Sequence, residues 1–443
     1  MNRTRNLLLA ATVVALGATF GVEQSTLNAA TKARAAEAPK FVVNPLWPKP
    51  LPSRQLLGSA TGVAVDSHDH VFVLNNPNSF TGRTEIGAAT NPPTGNCCEP
   101  TAPVLEFDAA GVLVAHWGGA GQGYDWPSTP SGIAVDDAGN VWIGGSGVGD
   151  GQILKFSHDG KFLMQSGKPG KATAAATAET GGYAPGTLGG ATPAAGAAGA
   201  PAAGRGGRAG GGAGTSPVAQ PAGDSNNMDD FGAPARFSFD TKANEVFVAD
   251  GYRNRRVAVL DMTTGKIKRM WGAYGKKPDD TDRSAYGAAS PAAQHFRDVT
   301  CAVLAKDGTL YVCDRANDRI QVFQKSGTFV KEKSVAPKTL GEGSVWDIAF
   351  SRDAAQKYLY VADGGSNRVR VLDRATLEEL TTFGDGGRLA SQFTGLQGIA
   401  TDSKGNIYTT ETYEGKRIQK FDYKGLATVT QHDQGTVWPG SGK

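Results

Sequence analysis

Cysteine is scarce in this chain, with four in 443 residues, and the four never fall in a CxxC spacing. That excludes a zinc ribbon or finger built on thiolates. Histidine is nearly as rare, at six, and no HExxH motif occurs, so a helix-borne metalloprotease site is absent. Charge of one sign is lacking too. Lys and Arg total 45 against 42 Asp and Glu, a net +3, which leaves no basic excess for nucleic acid and no acidic excess for a basic partner. No run of the roughly 20 apolar residues needed to span a bilayer is present. The glycines at 145–151 lack a following Lys-Ser/Thr pair, which removes a phosphate-cradling loop.

Residues 1–38 read as an export signal. Arg3 and Arg5 open it, an apolar run fills 7–20, and Ala33-Arg34-Ala35 and Ala36-Glu37-Ala38 are both candidate cleavage sites. An exported protein, periplasmic or extracellular, is therefore expected, with one domain over 39–443. Export permits disulfides. If Lys306-Asp307-Gly308 is a hairpin turn, Cys301 and Cys313 face each other, either bonded or packed. The adjacent Cys97 and Cys98 either reach another segment or stay free.

Repetition is what the chain has in quantity. The segment 310–323 reads as a strand ending in Asp314, a short Asn/Arg loop and a second strand, and variants recur at 246–261, 359–373 and, more weakly, 407–422. Around them lie six units, at 61–118, 132–167, 235–272, 299–334, 345–384 and 398–430. Each divides into four short Val/Ile/Tyr/Phe-rich strands separated by Asp-Gly and Lys-Gly turns, the signature of antiparallel sheet. Four strands in about 40–45 residues is one propeller blade. A lone blade leaves both faces bare, so six of them pack around an axis and close. The fold class is all-β, a six-bladed β-propeller. His116-Trp117-Gly118, Met270-Trp271-Gly272 and Thr382-Phe383-Gly384 place an aromatic at the end of a fourth strand, where it packs between blades. Closure needs the termini to meet, so 41–43 is expected to pair into the last blade, beside a final strand at 426–430.

Three insertions interrupt the period, at 76–102, 168–234 and 273–297. They follow second or fourth strands, whose exits share one face of the ring. Residues 170–228 form a low-complexity insertion expected to be disordered, since Ala, Gly, Pro, Thr and Ser bury too little to offset ordering. Loops on a rigid scaffold are where binding concentrates, so this face is the candidate functional surface.

Asp250, Asp314, Asp363 and Glu411 each end a second strand and should form an arc on that face. One reading is a ligand- or cation-binding arc, with calcium the matching ion. The other, which a structural repeat favours, is local pairing with Arg256, Arg319, Arg368 and Arg417. His68 and His70 fall in a hairpin turn of the first unit, on the opposite face, and His158 in another turn, all three read as solvated.

Pro130-Ser131-Gly132-Ile133-Ala134-Val135-Asp136 and the recurring Ala-Asp and Asn-x-Arg segments resemble NHL repeats over roughly 56–425. Within that group the third and fourth units are similar to the peptidyl-α-hydroxyglycine α-amidating lyases. That resemblance implies a six-bladed propeller with a zinc held by three axial histidines, a Tyr and arginines. Asp250-Gly251-Tyr252-Arg253-Asn254 matches the segment carrying the Tyr, which makes Tyr252 its counterpart. Cys313-Asp314-Arg315-Ala316-Asn317 matches the segment carrying one Arg, which makes Arg315 the counterpart. Ser131, Thr300 and Gln397 stand where the metal histidines would fall. Hydroxyl and amide oxygens are poor zinc ligands, so no metal is assigned there, and these three become candidate ligand-binding residues.

Three readings follow. The first is an exported, monomeric binding scaffold for a small molecule, peptide or protein, with the ligand on the decorated face. The second is a lyase-like or lactonase-like enzyme using the central funnel through Tyr252 and Arg315. The third is a calcium-stabilised scaffold.

Overall fold

The structure, a computed structural model, describes residues 37–80, 85, 87–89, 98–170, 223–281, 286–288 and 292–440. Residues 1–36 of the export segment, Cys97 and 171–222 of the low-complexity insertion lie outside the described residues, whereas Glu37 and Ala38, placed in that segment from the sequence, begin a strand.

Six four-stranded antiparallel sheets are arranged as blades. Their inner strands are Ser59–Val65, Pro130–Val135, Pro234–Asp240, Val299–Leu304, Asp347–Phe350 and Leu396–Thr401. Each inner strand touches the next in order, and that of blade 6 touches that of blade 1, so the ring is closed. Burial follows distance from the axis. The second strands Glu245–Asp250 and Tyr358–Asp363 are buried at every residue, because both faces lie against neighbouring blades. The outer strand Phe329–Ser334 alternates between half-buried and exposed, the period-2 pattern of a sheet edge with one wet face.

The core lies between blades. Phe247, Val257 and Val259 of blade 3 pack on Leu310, Val312 and Phe323 of blade 4. The aromatic ending each of three fourth strands meets the third strand of the next blade. Trp117 lies 5.2 Å from Phe156, Trp271 6.0 Å from Phe323, and Phe383 5.1 Å from Phe421, centroid to centroid. Cys301 and Cys313 are opposite in register and joined by a disulfide across the inner two strands of blade 4. Cys98 is also disulfide-bonded.

Closure uses the N-terminal segment. Glu37–Asn44 is the outermost strand of blade 6, with Phe41 opposite Tyr423 and Val43 opposite Phe421. Phe41 also packs within 5.5 Å of the Tyr360 and Phe383 rings of blade 5, sealing the blade 5–6 seam. The expected strand at 426–430 is not a separate element. The chain runs straight through Asp422–Gly425 as one strand, Arg417–Thr428, because Leu426, Ala427 and Thr428 already have partners in Pro39, Ala38 and Glu37. The remaining tail lies along the outer strand of blade 5, through Thr382 N–H to His432 O and Gln434 N–H to Thr382 O, and covers an edge that would otherwise be open. Within residues 223–228 of the insertion one side chain is anchored. Ser225 is buried, its N–H and hydroxyl both on Asp280.

One buried carboxyl sits awkwardly in this frame. Asp318 follows the short turn Arg315–Asn317 at φ 50° and takes the Ser344 N–H at 2.8 Å. Burial pushes its carboxyl up to about 7. A carboxyl raised on folding holds a proton that the unfolded chain releases near pH 4, so stability is full below that and falls as pH rises through about 7. Asn tolerates the left-handed backbone and carries no charge. Asp318→Asn should therefore stabilise the protein by about 1–3 kcal/mol at pH 8 and by little at pH 4, read from urea midpoints at the two pH values.

Candidate functional site

The inner strands and their first flanking residues bring one residue from each blade to a ring around the axis: Thr61, Ser131, Ala235, Thr300, Trp346 and Gln397, bounding a cavity of about 20 Å³, room for a single water. Ser131, Thr300 and Gln397, far apart in the chain, are thus brought together. The hydroxyls and the amide mostly stitch blades. Thr61 donates to Pro130 O at 2.8 Å, Thr300 to Val345 O at 3.2 Å, and Gln397 Nε2 to Thr61 O at 3.2 Å. With those protons committed, the ring offers a ligand mainly acceptor lone pairs.

One residue further along in five of the blades lies the floor, formed by Gly62, Gly132, Arg236, Asp347 and Gly398. Arg236 of blade 3 reaches Asp347 of blade 5 at 3.1 Å, Val63 O of blade 1 at 3.1 Å and Ile399 O of blade 6 at 3.4 Å. Acceptors on the far side of the ring mean that this side chain crosses the axis and plugs it. Glycines make the room. A Cβ at Gly132, which has φ +79°, would lie 1.8 Å from Ala235 O. Asp347 accepts the Ile348 and Ile399 N–H groups at 2.9 and 3.0 Å. Burial pushes its carboxyl up, and the Arg236 guanidinium and these N–H groups pull it back.

The funnel opens on the face where second strands exit, since Ser146, Tyr252, Arg315 and Thr412 at its mouth each follow one. This is the decorated face. Described parts of the insertions are tied down on it, Glu85 to Lys416 at 2.8 Å and Asp280 to Ser225. Arg315 lies between two rings, its guanidinium carbon 5.4 Å from the Tyr252 centroid and 4.8 Å from that of Trp346. Its NH2 bonds Asp298 at 3.0 Å, and NH1 is 4.0 Å from Glu342. Burial raises the Tyr252 phenol, with Arg315 and a hydrogen bond to Ser131 opposing it. Burial likewise pushes the Glu342 carboxyl up to about 8, although Tyr413 OH donates to it at 3.1 Å.

The carboxylate arc has a different place. Asp250, Asp314, Asp363 and Glu411 are fully buried and do not line the funnel. Asp250–Arg256, Asp314–Arg319 and Glu411–Arg417 are ion pairs at 2.7 Å. Asp363 departs from the expected partner. Arg368 lies opposite it in backbone register but sends its guanidinium to Asp433 of the tail at 2.7 Å, while Arg370 takes Asp363 at 2.6 Å. Each carboxylate orders its own loop. Asp250, for example, accepts from Gly232 N–H and Asn254 Nδ2.

No histidine lines the funnel among the described residues. His68 is exposed, but His70 and His158 are not simply solvated turn residues, because both rest on buried Glu106. Sequence reasoning also missed Arg236, Asp347, Trp346 and Glu342. For the first two a signal existed: a charge stands at the inner-strand position where Gly62, Gly132 and Gly398 stand in other blades. Trp346 and Glu342 carry no such mark.

No family model matches the chain, and no curated protein matches it in sequence. Among solved structures, it is similar to a streptogramin B lyase at 10% identity and a TM-score of 0.44, over 88% of this chain and 98% of that one. It is also similar to a catalytically inactive virginiamycin B lyase from Staphylococcus aureus with quinupristin, at 11% identity and a TM-score of 0.41, over 87% and 89%. At that distance neither likeness bears on activity, and the architecture here rests on the strand pairing itself.

The axial pair gives a direct test. Arg236→Ala leaves the Asp347 charge buried alone and should cost about 3–5 kcal/mol in urea unfolding. Arg236→Leu combined with Asp347→Leu should recover much of that loss, since no buried charge then lacks a partner.

Proposed function

We propose that this chain is an exported binding propeller that takes a small polar molecule, with a carboxylate or similar planar anion, at the mouth of the axial funnel on the decorated face. The observation that carries the reading is Arg315, held between Tyr252 and Trp346 at the mouth. Two aromatic faces within 6 Å hold the guanidinium in place at the mouth, and a guanidinium is the cation whose fork suits a carboxylate. The floor of Arg236 and Asp347 makes the funnel a blind cup rather than a channel. Peptide or protein partners would engage the surrounding loops. Calcium at the arc is not part of the proposal, since an ion there would displace four guanidinium groups.

Glu342 sets the pH dependence. Below about 8 its carboxyl is protonated, and Arg315 is paired with Asp298. Above about 8 a second negative charge stands 4.0 Å away. Anion binding should therefore weaken as pH rises from 6.5 to 9, and Glu342→Gln should flatten the profile. Calorimetric titration with a panel of small mono- and dicarboxylates checks this. Arg315→Ala should lower the affinity of any carboxylate that binds by about 10–100-fold, a loss of about 1.4–2.7 kcal/mol. Binding indifferent to Arg315→Ala, or none across the panel, sinks the proposal.

A second reading has its own support. Tyr252 and Arg315, the two residues that the lyase resemblance singles out, lie in contact at the same mouth. Glyoxylate release from an α-hydroxyglycine peptide, alongside elemental analysis of the purified protein, separates it from binding alone. Absence of both metal and release removes it.

A further inference from the structure

On the opposite face, three residues from different parts of the chain converge between blades 1 and 2. His70 follows the first hairpin turn of blade 1. Glu106 lies on Val104–Phe107, the third strand of that blade. His158 sits in the outer hairpin turn of blade 2. Glu106 is opposite Phe72 in register, so His70, two residues before Phe72, projects from the same face of the sheet. The His158 ring stands edge-on to Phe72 at 5.3 Å, which fixes it over that face.

The candidate ligating atoms cluster within 4.8 Å. His70 Nδ1 is 2.5 Å and His158 Nε2 3.1 Å from Glu106 Oε1, and one atom from each residue falls within 4.8 Å of the others. The carboxylate is buried, at 3% exposure, while the imidazoles are 35% and 46% exposed, so the floor is enclosed and the rim open to solvent. The surroundings differ from those of the four buried acids of the arc. Asp250, Asp314, Asp363 and Glu411 each hold a guanidinium. Among the described residues the Glu106 carboxylate instead meets two imidazoles, groups that bind a cation when neutral.

From this geometry we infer that His70, Glu106 and His158 form a binding site for a divalent transition ion of the zinc class. Two imidazole nitrogens and one carboxylate oxygen are a ligand set that such ions accept, with a remaining position open to solvent. A tetrahedral ion with bonds near 2.0–2.1 Å spaces its ligand atoms roughly 3.4 Å apart. The 3.1 Å contact is close to that, and the 2.5 Å contact must open by about an ångström, which His70 beside its turn can supply. Bound there, the ion bridges blades 1 and 2 on the face away from the funnel, independently of any ligand at Arg315.

The test uses the full chain, stripped with chelator and titrated with Zn(II) and, as a spectroscopic probe, Co(II). One equivalent should bind, and Co(II) should give visible bands of low-coordinate character. His158→Ala, a substitution at a half-exposed turn, should weaken binding at least about 100-fold, because losing even an outer-shell support costs 10–100-fold. His70→Ala should act likewise. His68→Ala, at an 80% exposed side chain in the same turn, should change nothing. Zn(II) should also raise the melting temperature of the parent and not of His158→Ala. Binding without saturation at one equivalent, or a site unmoved by His158→Ala, overturns the inference.

Discussion

A ring of sheets is stable only if its first and last strands meet, and here that constraint governs both ends of the chain. Glu37–Asn44 gives blade 6 its outer strand, so segments nearly 400 residues apart in the chain pair with each other. The pairing seals two seams, because Phe41 packs on blade 5 as well as blade 6. The C-terminal tail then locks the joint, with Val43 N–H donating to Val437 O. Strand pairing across nearly the whole sequence pays loop-closure entropy before any contact forms. The apolar seams between blades have to offset it.

Inside the ring, buried charge is managed in two ways. Around the second-strand exits each acid has its own arginine, and the pair organises a loop. At the axis one pair, Arg236–Asp347, serves the whole ring by touching blades 1, 3, 5 and 6. Breaking such a pair costs more than the pair contributes, because the charge left behind has no water. The plug therefore holds the axis in one arrangement and turns a tunnel into a cup.

The two faces are consequently unlike. The decorated face has a mouth where Arg315, Tyr252, Trp346 and Glu342 meet over that cup. The opposite face has tight hairpin turns, and on it two imidazoles from neighbouring blades share one carboxylate. The scaffold is common to both, and the chemistry of each lies in the few side chains held at strand ends.

Much of this was legible in residue order alone. Period-2 apolar strands, the turn glycines and the Trp-Gly and Phe-Gly phrases specify six blades, because burial on a pleated sheet repeats every second residue whatever the neighbours are. The Asp–Arg spacing within a repeat is local, so three of four pairs follow from it. Asp363 escapes, since Arg370 and Arg368 both lie within reach and only the tail, through Asp433, decides between them. Ser131, Thr300 and Gln397 could be placed on the axis because the lyase resemblance puts axial residues at those positions. What only the tertiary structure decided is contact between blades. Arg236 finding Asp347 across the axis, Trp346 closing on Arg315, and His158 reaching Glu106 all depend on the angle at which one sheet meets another. That angle is set by the packing of many side chains together and is written in no short stretch of sequence.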